Sequence, residues 1–226
     1  MAAEALSAWF LHKRPSGDTS LRVSFFTREH GIIEALYKGG RTPKKQAILQ
    51  PFMPLWLVLD ERNNWYYVQK LECESQALTL PGLALFAGLY VNEILYSMIK
   101  PQDACEALFS AYVRTIESLA TASCRLTVEP ILRRFERQLL NTAGYALSLT
   151  HEAESGELIT AERAYQFMAG VGLIGAKNGL LGAHILAMAE DKFDDADTLR
   201  TAKMIHREAI AHAMDGKVIQ TRALYH

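Results

Sequence analysis

Polar and apolar positions follow two different rhythms along this chain, and the change falls near residue 80. In the first stretch they alternate. Leu21, Val23 and Phe25 occupy every second position of Thr19–Thr27, a segment rich in β-branched and aromatic residues, which predicts a half-buried strand. The cluster Pro15-Ser-Gly-Asp18 predicts a turn between it and an earlier apolar stretch, Ala8–Leu11. Gly31 opens a third strand, Ile32–Tyr37. Phe52–Leu59 is a fourth, its nearby prolines suiting a strand start or an edge. Asn63-Asn64 marks a turn before a fifth, Trp65–Leu71. Five short strands at hairpin spacing predict a small barrel, and the OB-fold is the five-stranded member of that class.

Pro81-Gly82 is the boundary this pattern selects, giving domains over 1–80 and 81–226. Beyond it, Leu83, Phe86, Leu89, Tyr90 and Ile94 fall three and four apart, and Pro101 ends that helix. Asp103 is the expected cap of a second helix running to about Ala120. Glu129-Pro130 opens a third, with Leu132, Phe135, Leu139 and Leu140 on one face and Asn141 and Gly144 as its stop. Residues 148–178 read as an irregular, glycine-spotted insertion containing a short hairpin, flanked by acidic runs. Asp195 or Asp197 caps a last helix, Thr198 to about Met214. The fold class is therefore α+β, a five-stranded OB-fold barrel followed by an α-helical domain.

Composition narrows the function only a little. The chain has 226 residues, a hydrophobic fraction of 50% and a formal net charge of −1, enough for a sizeable core and too neutral for general nucleic-acid coating. Any DNA contact must be local. Cys73, Cys105 and Cys124 are odd in number and widely spaced, so they offer neither a disulfide framework nor a metal quartet. Two of the three fall in patterns that read as helix core. Met1 to Trp9 lacks the features of a signal peptide, and no apolar run reaches the roughly 20 residues that span a bilayer. The expected setting is the cytoplasm, with no membrane association.

Charge distribution is more informative. Lys13, Arg14, Arg22, Arg28, Lys38, Arg41, Lys44 and Lys45 lie between His12 and Lys45, against Asp18, Glu29 and Glu34. The densest part, Lys38–Lys45, reads as a flexible loop between the third and fourth strands. Such a loop can track a phosphate backbone and release counterions; it reads equally well as a solvated loop with no ligand. Trp9, Phe26, Tyr37 and Tyr66 or Tyr67 would stack bases if they point outward, though core positions suit most of them better. Arg133, Arg134 and Arg137 form a basic stripe on the third helix. It suits a short acidic peptide with an apolar end, but surface pairing with Glu129 or Glu136 suits the pattern better.

Gly170-Val-Gly-Leu-Ile-Gly175 matches the dinucleotide fingerprint. The motif should follow a buried parallel strand and start a helix, and here it does neither, so it reads as a glycine hairpin. The seven histidines make no convincing metal-ligand spacing, and no nucleophile motif is present. The residues predict no catalytic site, cofactor or metal.

Several segments taken together resemble the RecO family of bacterial recombination mediators. They are Leu11–Leu21, Phe26–Gly31 with Tyr37–Arg41, Leu49–Pro54, Ala87–Leu95, Leu132–Glu136 and Asp195–Arg200, in the family's order. The resemblance implies binding of single- and double-stranded DNA and annealing of complementary strands. It also implies contact with the C-terminal tail of single-stranded-DNA-binding protein and, with RecR, help in loading RecA. On this resemblance Lys38, Arg41, Lys44 and Lys45 become expected DNA contacts, with Arg14 and Arg22 behind them. Arg133 becomes a candidate for holding the acidic tail, with Arg134 and Arg137 beside it. Some members of the family carry a four-cysteine zinc site after the third helix. No cysteine follows Cys124 here, which implies a zinc-free version. The alternatives from other classes are a helical adaptor with a purely structural barrel and a nucleotide-dependent enzyme using the glycine motif.

Overall fold

The alternation read in the first 70 residues is set by a barrel interior. The computed structural model describes residues 5–225, with side chains to 223; residues 1–4 of the segment Met1–Trp9, and His226, lie outside the described residues. Five strands, β1 (Ala5–Ser16), β2 (Ser20–Thr27), β3 (Gly31–Tyr37), β4 (Pro54–Arg62) and β5 (Trp65–Cys73), close in the order β1-β2-β3-β5-β4. A short parallel pairing closes it, Ala35 beside Tyr66 and Leu36 beside Tyr67, while β1 runs antiparallel to β4. This is the OB-fold, a five-stranded Greek-key barrel. Leu6, Ala8, Phe10, Val23, Phe25, Ile33, Leu55 and Leu57 fill its interior from alternate positions. Asn63 and Asn64 both take left-handed φ (50° and 61°), which makes the β4–β5 link a two-residue turn whose twist matches its strands.

The barrel's outer face is not all solvent. Helices α2 (Leu83–Met98) and α3 (Glu106–Thr121) cover part of it. Phe26 meets Phe109 with centroids 5.3 Å apart, and Trp9 and Phe26 both meet Tyr112 edge-on. The Tyr112 hydroxyl donates to Asn92 Oδ1 at 2.8 Å, which supplies a partner for a polar group that burial would otherwise penalise. A terminal 3₁₀ turn, Gln220–Tyr225, returns to this unit. Glu93 accepts from the amides of Gln220 and Thr221, holding the turn against α2.

Residues 123–219 form a second compact unit. It contains α4 (Arg125–Thr142), a sheet of β6 (Ala164–Met168), β7 (Gly172–Ala176) and β8 (Leu180–Leu181) in the order β7-β6-β8, and helices α5 (Gly182–Ala189) and α6 (Ala196–Ala213). Tyr165 and Phe167 alternate into its core. Asp195 caps α6, its carboxylate accepting from the Thr198 amide at 2.8 Å. Gly144 at φ 85° follows the end of α4.

Several local expectations are corrected. Residues 38–45 are not a flexible loop, because a turn and a short helix, α1 (Pro43–Ile48), occupy them. Pro43 at the first helical position is preset for the helix, which explains why the segment folds locally. The second helix is capped by Cys105 rather than Asp103. The third begins at Arg125, with Pro130 inside it, because Cys124 and Thr127 make reciprocal capping contacts ahead of the proline. The cysteines are not helix core: Cys105 and Cys124 sit at N-caps, and Cys73 is exposed at the end of β5.

Candidate nucleic-acid interface

Between Glu34 and Asp60 no acidic residue occurs, and the positive segment falls within that interval. Arg41 ties it down: its Nη1 donates to the carbonyls of Gly17 and Asp18, at 3.3 and 2.9 Å, in the β1–β2 turn. Lys45 lies across the Tyr37 ring, 4.6 Å from its centroid, and donates to the Lys38 carbonyl at 2.6 Å. Lys38 lies 5.2 Å from the Tyr67 ring centroid. Lys44 is exposed. The fold thus brings Lys38, Arg41, Lys44 and Lys45 together beside the β1–β2 turn, on a backbone held by hydrogen bonds. Little ordering entropy remains to be lost when a ligand binds.

Arg14 and Arg22 stand opposite each other across β1 and β2. Glu34 on β3 bridges them, at 3.3 Å from Arg14 and 3.9 Å from Arg22, and accepts from the Tyr96 hydroxyl at 3.0 Å. Burial and that hydrogen bond raise the Tyr96 hydroxyl above its ordinary pKa, so it stays a neutral donor. These ion pairs are partly exposed to solvent and therefore weak.

Trp9 and Phe26 are buried under α3, and Tyr37 lies in the barrel interior, so none of them presents a ring to a ligand. Two exposed tryptophans lie outside the sequence expectations, Trp56 on β4 and Trp65, 48% exposed at the start of β5. Strand alternation carried the signal. Tyr66 and Val68 pack against the interior, which turns Trp65 and Tyr67 outward.

The three arginines of α4 do not form one surface stripe. Arg133 is 5% exposed, and its Nη1 pairs with Glu136 Oε2 at 2.9 Å. His206 on α6 meets the same oxygen at 3.0 Å through Nδ1. Burial pushes the His206 imidazole below its usual range, against the pull of Glu136 and with help from Arg133 and Arg137. The ring is therefore neutral and donates from Nδ1, leaving Nε2 as a buried lone pair. Arg134 and Arg137 converge instead on Asp191, at 2.7 and 3.3 Å, and Arg134 lies over the Phe193 ring. Glu129 pairs with Arg125 and Lys203. Although burial opposes it, Lys203, Arg133 and Arg125 together hold its carboxyl below the ordinary range.

Among the described residues, His184, Asp195 and Asp197 bring possible metal-ligating atoms within 4.8 Å of one another. Asp195 is committed to capping α6 and Asp197 to Arg200. Gly170–Gly175 spans the β6–β7 turn and most of β7. No helix of the structure is long and apolar enough to cross a membrane among the described residues.

Residues 1–77 match the family model "Recombination protein O N terminal", and residues 82–190 match "Recombination protein O C terminal". The chain is 47% identical over 226 residues to the DNA repair protein RecO of Legionella pneumophila strain Corby, covering 100% of this chain and 99% of the relative. It is 36% identical over 223 residues to that of Methylococcus capsulatus, with 96% and 91% covered. Against that of Shigella flexneri serotype 5b it is 37% identical over 224 residues, with 96% and 92% covered.

Proposed function

The chain belongs to the RecO family of DNA repair proteins, and on that premise we propose that it is a recombination mediator that binds DNA through its barrel and anneals complementary strands. The observation that carries this reading is the fixed cluster of Lys38, Arg41, Lys44 and Lys45 beside the β1–β2 turn, with Arg14 and Arg22 on the adjoining strands. Residues 5–73 hold ten lysines and arginines against six acids, in a chain whose totals are 24 and 25. The attraction for phosphate is therefore local to the barrel. Annealing requires charge neutralisation and two backbones held near each other, and no catalytic group, cofactor or metal.

In the second unit, the reading places the acidic C-terminal tail of single-stranded-DNA-binding protein at Arg134 and Arg137. Asp191 stands there where a partner's carboxylate would bind, and Phe193 offers an apolar ring. Arg133 lies on the same helix but in the core, paired with Glu136. Cooperation with RecR and loading of RecA in the cytoplasm complete the proposal.

The test is a salt series of DNA binding. Lys44→Glu with Lys45→Glu should weaken binding and lower the slope of log K against log salt by about 1.4 on single strands, roughly 0.7 for each lost phosphate contact. An unchanged slope removes this segment from the site. Tail-peptide binding with no DNA affinity at low salt would favour an adaptor with a structural barrel.

A further inference from the structure

Trp65 stands at an unusual place for a large apolar side chain. It is the first residue after the Asn63-Asn64 turn, opposite Arg62, and 48% exposed. The Arg22 guanidinium lies over its ring at 4.7 Å from the centroid. Two residues on, Tyr67 points to the same face and carries Lys38 over its ring. Two outward rings, each with a cation against it, therefore lie side by side on β5. An exposed indole gains little from solvent, and such a pair of rings and cations suits a ligand that is aromatic and anionic along one edge.

We propose that Trp65, with Tyr67 beside it, is a stacking platform for unpaired bases and makes the barrel discriminate single-stranded DNA from duplex; this rests on the DNA-binding reading above. Residues two apart on a strand are separated by about 6.6 Å, roughly twice the 3.4 Å rise of stacked bases in one strand of a duplex. The two rings thus match successive bases only in a strand that has been unstacked. A duplex keeps its bases paired and stacked, so it can offer this surface nothing but phosphates. Arg22 and Lys38 take the phosphates in either case, while the rings add an interaction that only single strands can use. The β4–β5 turn next to Trp65 is also one of the two loops that border the oligonucleotide-binding face of OB-folds. Trp56 provides an internal contrast: it is 41% exposed, but its cross-strand partner on β5 is Glu72, an anion that repels phosphate.

The experiment measures affinity of the full chain for an oligothymidylate and for a duplex of the same length, together with tryptophan fluorescence. Trp65→Ala should weaken single-strand binding about tenfold and leave duplex affinity within twofold, whereas Trp56→Ala should change neither. Oligothymidylate should quench the wild-type fluorescence, and the quench should vanish in Trp65→Phe, whose ring still stacks and retains most of the affinity. Equal losses for both DNAs in Trp65→Ala, no loss at all, or a quench that persists in Trp65→Phe would each overturn the platform while leaving the DNA-binding reading intact. Absence of any salt-sensitive binding in the wild type would overturn both.

Discussion

His206 shows how one residue's burial becomes a property of a whole unit. Its ring is fully buried, neutral and hydrogen-bonded to a carboxylate that also pairs with a buried arginine. Because the folded pKa is depressed below 6.5, the unfolded chain takes up the proton first on acidification. Stability from this group is complete above about pH 6.5 and is lost as pH falls through the folded value, at up to about 1.4 kcal/mol per pH unit. Urea unfolding followed by far-UV circular dichroism at pH 7.5 and 5.5 should show this loss, and His206→Gln should reduce it. Glu136→Ala removes the shared acceptor and strands Arg133, which should cost about 3–5 kcal/mol in the same assay. The sequence placed the arginine and the glutamate on one helix but gave no reason to bury them. His206 is 70 residues from Glu136, so packing of α4 on α6 decided it.

Elements were read well where local patterns determine them and less well where caps do. Strands β2, β3 and β5 were visible because a buried face imposes a two-residue period. The short helix α1 was missed because six residues hold too little periodicity. Its place depends on Arg41 reaching back to the β1–β2 turn, a contact across more than 20 residues. Gly31 opens β3, but the need for glycine there is tertiary. Its φ is 66°, and an added Cβ would stand 2.3 Å from the Asp103 carbonyl oxygen. Gly31→Ala should therefore destabilise the barrel unit by about 2–4 kcal/mol, measured as a lower urea midpoint in tryptophan fluorescence. A midpoint within 0.2 M of wild type, roughly 0.4 kcal/mol at ordinary urea slopes, would show that the backbone shifts at little cost.

At the scale of the molecule, the two compact units give separate reporters of stability. Trp9, Trp56 and Trp65 all lie in the unit of residues 5–122, whereas α4, α5 and α6 lie in the other. Glu136→Ala is expected to move the part of the circular-dichroism transition that α4, α5 and α6 contribute toward lower urea, while the part from α2 and α3 and the fluorescence transition stay in place, so the two curves part. Coincident curves would show that the units unfold as one. The same division separates the proposed activities, with phosphate and base contacts on the barrel and the protein tail on α4.

The sequence by itself determined the barrel, the run of helices after Pro81-Gly82 and the position of the positive segment. Each depends on residues close together in the chain: alternation, a three-to-four spacing, a density of charge. Tertiary structure decided which of those residues a ligand can reach. It buried Trp9, Phe26 and Arg133, fixed Lys38–Lys45 as an ordered turn and helix, and turned Trp65 outward under Arg22. Accessibility depends on contacts between distant segments, and a single strand's pattern records only the face it turns inward.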